Sequence, residues 1–490
     1  MPYLLNNSRR VHLLGIALLL ICLLGCQHKK DVLPDVARIE VVLAKNKPLL
    51  PIVFLEDSTH KQVTLDVYYF DANNSFVSPA VTPQFLVNGQ PLSSNTYTFS
   101  QPGQFTFSAQ IGNRKSDNEL VVKVGSVADL ISRFSITTAV PALNADSISR
   151  LPLIYELVDG KGRSLNPIDY PPISLSVNET RNPNNDFLST QQAGEHRLQA
   201  SFLGKRSDVL LVTARKPARY PLVRLPVIIH ILQSANASQI NPTSILADVN
   251  RTFRQNKRST DPNQADAYLE FVPATTDPDG HPLTIAGLDI LTVDNPSSID
   301  TARAWVNRIV HHWCPQQYIN VFVSLDWVRR YGRGYSYSYF PGSPGSTPLT
   351  CEQIQTIDWP TNDVPAIYIY DQWSFISLDH ELGHFLGLVH TFQYGCSRSG
   401  LEVDVPYHVE AYPDASGLKY TCDRIPFVSQ YVMDYYVPHN SFTYDQVKSM
   451  RRTLNVGSYI PKAVTRRGDQ RSGAIPFRLE QGSIIPCQSQ

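Results

Sequence analysis

His380-Glu381-Leu382-Gly383-His384-Phe385-Leu386-Gly387-Leu388-Val389-His390 reads H-E-x-x-H-x-x-G-x-x-H. On a helix, His380 and His384 share one face, where two imidazoles can reach one zinc ion. Glu381 then falls beside the metal without binding it. Gly387 can take the left-handed backbone that ends a helix, so the chain can double back and offer His390 as a third ligand. Three protein ligands with a fourth position open to water make a catalytic zinc, whereas a structural zinc is closed by four. The stretch therefore predicts His380, His384 and His390 as ligands of one Zn2+, Glu381 as general base and Gly387 as the structural residue at the turn. His311 and His312 on a helix, and His408 and His439 in loops, lack ligand spacing and read as surface residues.

Alternating strands and helices surround the motif. Leu225 to Leu232 is a near-continuous apolar run, as in a strand buried on both faces. Asn241 is placed to cap a helix with Pro242 at its first position, and Ile245, Val249 and Phe253 fall on one side. A second helix begins near Ser298, and Tyr318 to Leu325 and Ala366 to Tyr370 read as further strands. Between these two strands, Tyr331 to Pro341 alternates Tyr with small residues and is the best candidate for an edge strand that a substrate peptide could pair with.

Upstream, the composition turns β-rich. Pro102 to Gly112, followed by Lys115-Ser116-Asp117, recurs as Ala193 to Gly204 followed by Arg206-Ser207-Asp208, and each copy closes with an apolar strand. The alternation in Val63-Thr64-Leu65-Asp66-Val67 and the frequent turn residues suit two tandem immunoglobulin-like β-sandwich domains, at 36–125 and 126–214. Arg215 to Tyr220 reads as a linker to a catalytic domain at 219–455, followed by a polar tail at 456–490.

Residues 1–26 read as a secretion signal, with Arg9 and Arg10 before an apolar run too short to span a membrane, and 27–35 as a short linker. The run ends in Leu23-Leu24-Gly25-Cys26, which resembles the bacterial lipobox. That resemblance implies acylation of Cys26, a membrane partner reached through lipid, and a place in the bacterial envelope. Gln27 after Cys26 favours the outer membrane or cell surface. Lys+Arg and Asp+Glu are equal at 43 each, so no strong field draws nucleic acid, and none is expected as a partner. A monomer is expected.

Around the motif, Asp277-Pro278-Asp279-Gly280, Thr391-Phe392 with Gly395-Cys396, Met433-Asp434-Tyr435 and Phe442 to Arg451 complete a pattern. From about Leu222 to Leu454 the chain resembles the pappalysin (cytophagalysin) metzincins. The resemblance implies an α/β metzincin-type (zincin) catalytic domain and a polypeptide substrate. It makes Met433 the structural Met-turn residue under the ligands and Tyr435 a catalytic residue that steadies the oxyanion. Thr443 with Gln446 reads as a capping box, and Phe442 with Val447 as a staple, opening a terminal helix. Asp404-Val405-Pro406 departs from the family's Asp-Thr-Pro, and no Cys lies between Cys26 and Cys314 to act as a cysteine switch. Calcium (Ca2+), present in some relatives, is therefore left open. The pairing expected among the remaining cysteines is Cys314 with Cys351 and Cys396 with Cys422, leaving Cys487 over.

The fold expected is thus multidomain, with two all-β immunoglobulin-like sandwiches followed by the α/β catalytic domain. The function expected is that of a lipid-anchored zinc endopeptidase. The alternative is a lipid-anchored adhesin or binding protein whose protease domain is inactive.

Overall fold

The computed structural model describes residues 36–44, 52–166, 170–232, 240–255, 257, 259–291, 299–323, 337–338, 350–359, 364–369, 377–397, 403–435, 438 and 440–461. Cys26, Cys487, His439, and all of 331–341 except 337–338 lie outside them. The chain divides into two compact units. One draws on Met1–Thr137, Leu153–Asp186 and Arg197–Leu210, the other on Thr138–Pro152, Phe187–His196 and Leu211–Gln490. The division runs through the second copy of the β repeat.

In the first copy, Gln62–Phe70 pairs antiparallel with Arg38–Leu43, while Gly103–Ile111 pairs with Gln84–Val87 and Leu120–Gly125. Gln62–Phe70 alternates exposed and buried residues, because successive side chains on a strand point to opposite faces. Ile39, Val41 and Leu65 from one sheet meet Phe107 and Val122 from the other in a single core. The second copy repeats the pairing. Gly103–Ile111 turns into Arg114–Lys115 as Gly194–Phe202 turns into Lys205–Arg206. Ile52–Phe54 runs parallel to Leu120–Gly125 as Ala142–Asn144 runs parallel to Leu210–Arg215.

Within the other unit, Ala142–Asn144 is tied to the loop before strand Leu269–Pro273. The Asn144 backbone N–H donates to Pro262 O at 2.9 Å, Asn144 Nδ2 donates to Gln264 O at 2.8 Å, and Asn263 Nδ2 donates back to Ala142 O at 3.0 Å. The linker expected at Arg215 to Tyr220 is likewise fixed at both ends. Arg215 lies 3.4 Å from buried Asp404 and 3.2 Å from Asp445, and the Arg451 guanidinium sits 4.9 Å from the Tyr220 ring centroid. Residues 216–222 carry no helix or strand, and these contacts hold the two ends of that connecting segment.

The main sheet of this unit runs in the order Leu269–Pro273, Val223–Leu232, Ile319–Val323, Ile367–Ile369, Tyr337–Ser338. Its strands are parallel except the last, which is antiparallel to Ile367–Ile369. From Leu225 to Ile231 the strand Val223–Leu232 is apolar but for His230, because both faces of that stretch are covered. Leu225, Val227, Ile229 and Ile231 face a core shared with helix Pro242–Phe253, the motif helix Leu378–Phe385 and the terminal helix Tyr444–Val456. Ile228 faces a second core with Val306, Val310 and Trp313 on and just after helix Ile299–His312. Asn241 caps Pro242–Phe253 by accepting from Ser244 N at 3.1 Å, and Thr443 and Gln446 form the capping box of the terminal helix. Both oxygens of buried Asp404 serve that helix end, taking Thr443 Oγ1 at 2.7 Å and Asp445 N at 2.9 Å. Among the described residues, no helix is long and apolar enough to cross a membrane.

Two glycines set how the motif helix packs. Gly383 lies where fully buried Met433 crosses the helix, and a Cβ there would overlap Met433 Sδ and stand 3.5 Å from Phe442. Gly387 has φ +88°, and a Cβ would come within 2.5 Å of Thr453 Oγ1 on the terminal helix. By helix propensity alone, Gly383→Ala would stabilise by about 1 kcal/mol. We expect it instead to cost about 1–3 kcal/mol by overpacking against Met433. Thermal unfolding of Gly383→Ala, Met433→Ala and the double variant checks this. The double variant should lose less than the sum of the singles, and simple additivity would refute the contact.

Candidate metal centre

His380 and Glu381 are buried on the motif helix, and His384 lies half-buried one turn on. The helix ends in a Schellman turn. Leu388 N donates to Gly383 O at 3.0 Å and Gly387 N to His384 O at 2.8 Å, around the left-handed Gly387. This reversal brings His390 back over the helix. His384 Nε2 lies 3.1 Å from both His380 Nε2 and His390 Nε2.

The imidazole protons explain this close approach. His380 Nδ1 donates to Val432 O at 2.6 Å and His384 Nδ1 to Leu388 O at 2.8 Å. Each ring so bonded carries a proton on Nδ1, and in its neutral form it presents a bare Nε2 lone pair toward the other. Burial, then the neighbouring histidine, lowers His384 to about 4, and the same two causes lower His390 to about 4. Both are neutral near pH 7. Facing lone pairs repel unless a cation stands between them, and nitrogens held about 2.0–2.1 Å from a tetrahedral zinc lie about 3.4 Å apart. The three histidines therefore fit such an ion. Glu381 adjoins them with Oε2 buried and without a hydrogen-bond partner, and burial pushes its carboxyl up to about 8. A dication nearby would favour its ionised form.

The third histidine is seated by rings. His390 stacks on Phe392 with centroids 5.0 Å apart and planes 4° from parallel, and Tyr435 lies 4.6 Å from His390 and 5.0 Å from Phe392. Thr391 N donates to Met433 O at 3.0 Å, joining the segment after His390 to the turn under the helix. The Cys396–Cys422 disulfide follows this segment closely in the chain, while Cys314–Cys351 lies with the second core, beside Trp313.

Several residues here escaped the sequence reading. Asp379, buried beside His380, accepts from Thr252 Oγ1 at 3.0 Å and lies 3.5 Å from Lys257 Nζ, anchoring the start of the motif helix. Asp434 is buried with Lys419, Ser429 and His408 around it. His408 is not the surface residue expected. It is fully buried, with Nδ1 donating to Pro406 O at 2.8 Å and its ring 5.2 Å from Phe427, because a short hairpin covers it. His311 is also corrected, being half-buried, donating from Nε2 to Ile357 O at 2.8 Å and lying against Trp359. His312 is exposed, 3.6 Å from Asp279. Asp277, Asp279 and His281 form a second, more exposed group of potential ligands, in which Asp277 Oδ1 takes the His281 N–H at 2.8 Å.

No curated protein matches the chain. Among solved structures, it is similar to mature mirolysin of Tannerella forsythia in complex with a cleaved peptide, at 22% identity and a TM-score of 0.34. That match covers 48% of this chain and 92% of the other. A promirolysin mutant of the same organism is 21% identical with a TM-score of 0.34, over 49% of this chain and 84% of that one. The Escherichia coli adhesin FdeC is 14% identical with a TM-score of 0.18, over 40% and 70% respectively. Residues 305–455 match the model of a peptidase family described as pregnancy-associated plasma protein-A. That segment holds the three histidines, Glu381, Met433, Tyr435 and both disulfides. The region that carries the metal centre is thus a metallopeptidase domain of the pappalysin family.

Proposed function

We propose that the chain is a zinc-dependent endopeptidase held to the bacterial envelope, at the outer membrane or cell surface, through lipid on Cys26. The observation that carries the catalytic part is the convergence of three Nε2 atoms beside an unpartnered, buried Glu381. His380, His384 and His390 would hold the ion. Zinc bound there supplies Lewis acidity, polarising the scissile carbonyl and making water a nucleophile near neutral pH. Glu381 takes the proton of the attacking water and passes it to the leaving amine. Tyr435, seated against His390, donates a hydrogen bond from its hydroxyl to the developing oxyanion. Met433 supports the helix from below, and no role is assigned to calcium.

The substrate peptide would lie along the sheet edge. Tyr337–Ser338 is last in the strand order and pairs on one side with Ile367–Ile369, which leaves the other side for an added strand among the described residues. The repeats at 36–125 and 126–214 would act as two immunoglobulin-like spacers lifting a monomeric catalytic domain at 219–455 off the membrane.

Two experiments test this reading. Glu381→Gln in the full chain should retain about one zinc per molecule while cleavage of an unfolded protein falls about 10²–10⁴-fold. A wild-type chain that binds zinc but cleaves nothing would point instead to a lipid-anchored binding protein. Labelled fatty acid should enter the wild-type chain in a bacterial host and not Cys26→Ser, and equal labelling of both would remove the anchor from the proposal.

A further inference from the structure

We infer that Lys419 is a positioning residue for the metal centre, acting through Asp434 on Tyr435 and through Phe392 on His390. The inference rests on the peptidase reading above. Lysine is rarely buried without strong compensation, yet Lys419 is 1% exposed. Its ammonium has three acceptors for three protons: Glu410 O at 3.2 Å, Ala411 O at 2.9 Å and the Asp434 carboxylate. Asp434 is fully buried as well. Its Oδ1 also takes the Tyr435 backbone N–H at 2.9 Å, its Oδ2 takes Ser429 Oγ at 2.6 Å, and His408 Nε2 stands 3.7 Å from Oδ2. The same carboxylate that neutralises Lys419 therefore fixes the backbone of the residue proposed to meet the oxyanion.

A second path leaves the same ammonium. Lys419 Nζ lies 5.7 Å from the centroid of Phe392, whose ring is the one stacked on His390. His390 has no place on the motif helix, so its position depends on this stack and on the turn at Gly387. Lys419 itself sits on the short hairpin Lys419–Tyr420 and Pro426–Phe427, which Cys422 bonds to Cys396 just beyond the motif. A salt bridge serving stability alone needs neither the Tyr435 N–H nor the ring stack. Here one buried cation reaches two of the groups that shape the site.

The test compares full-length wild type, Lys419→Met, Tyr435→Phe and their combination, each at a temperature well below its unfolding midpoint. Steady-state cleavage and the rate at which a chelator strips bound zinc are both measured. In Lys419→Met, kcat should fall at least about 10-fold with KM within about 3-fold, and zinc loss should quicken about 10-fold or more. With Tyr435→Phe added, the further loss in kcat should be much smaller than Tyr435→Phe causes alone. Should Lys419→Met fail to fold, Lys419→Met/Asp434→Asn removes both buried charges and should show the same two changes. A folded variant with wild-type kcat and zinc release would overturn the inference, as would losses in kcat that multiply independently. If wild type binds zinc but cleaves nothing, the peptidase reading fails, while zinc release still decides whether Lys419 positions His390.

Discussion

Two backbone carbonyls carry the metal centre. Val432 O and Leu388 O each accept an Nδ1–H, and in doing so they turn the Nε2 lone pairs of His380 and His384 toward one point. Neither carbonyl could do this from a regular helix, whose interior carbonyls are spent on their own turns. One is freed by the reversal at Gly387, and the other belongs to the turn that crosses beneath the helix at Gly383. The glycines are thus conditions for the convergence of the histidines. Each allows a close approach, and each approach delivers an acceptor.

The sheet makes the geometry durable. The motif helix packs through Leu378, Leu382 and Phe385 against strands that are apolar on that face, and Phe253, Phe271 and Phe442 fill the space beneath with rings 4.6–4.7 Å apart. A rigid floor suits the two histidines that share the helix. The third histidine comes from outside any regular element, and its seat is built from side chains: Phe392, Tyr435 and the buried charges behind them. The centre therefore joins two histidines fixed by backbone and one fixed by packing.

Much of this was legible in the sequence because it follows short-range rules. The helix-spaced histidines, the positive φ at Gly387, the cap at Asn241 and the capping box at Thr443 and Gln446 each depend on residues within a few positions of one another. The β repeat was legible for another reason, since its two copies preserve turn residues and so preserve strand pairing. His408 and Lys419 were not legible. Tyr407-His408-Val409 has no periodicity that would announce burial, and Lys419 is covered by a hairpin whose strands are two residues long. The contacts of Arg215 were hidden likewise, since nothing in a basic, proline-containing stretch announces the carboxylates of distant Asp404 and Asp445. Long-range polar contacts leave no mark on local pattern.

The Cys396–Cys422 bond closes a loop whose ends are 26 positions apart, and that loop carries Asp404, His408 and Lys419. Closing a loop of this length without a covalent link costs about 3 kcal/mol of chain entropy. Where thiols stay reduced, the hairpin must bear that cost from its own contacts, and two-residue strands supply few. Oxidation removes the burden and lets the buried charges settle behind Tyr435 and His390. The contacts behind Tyr435 and His390 are thus least secure where thiols stay reduced and firmest in an oxidising compartment, where such bonds form.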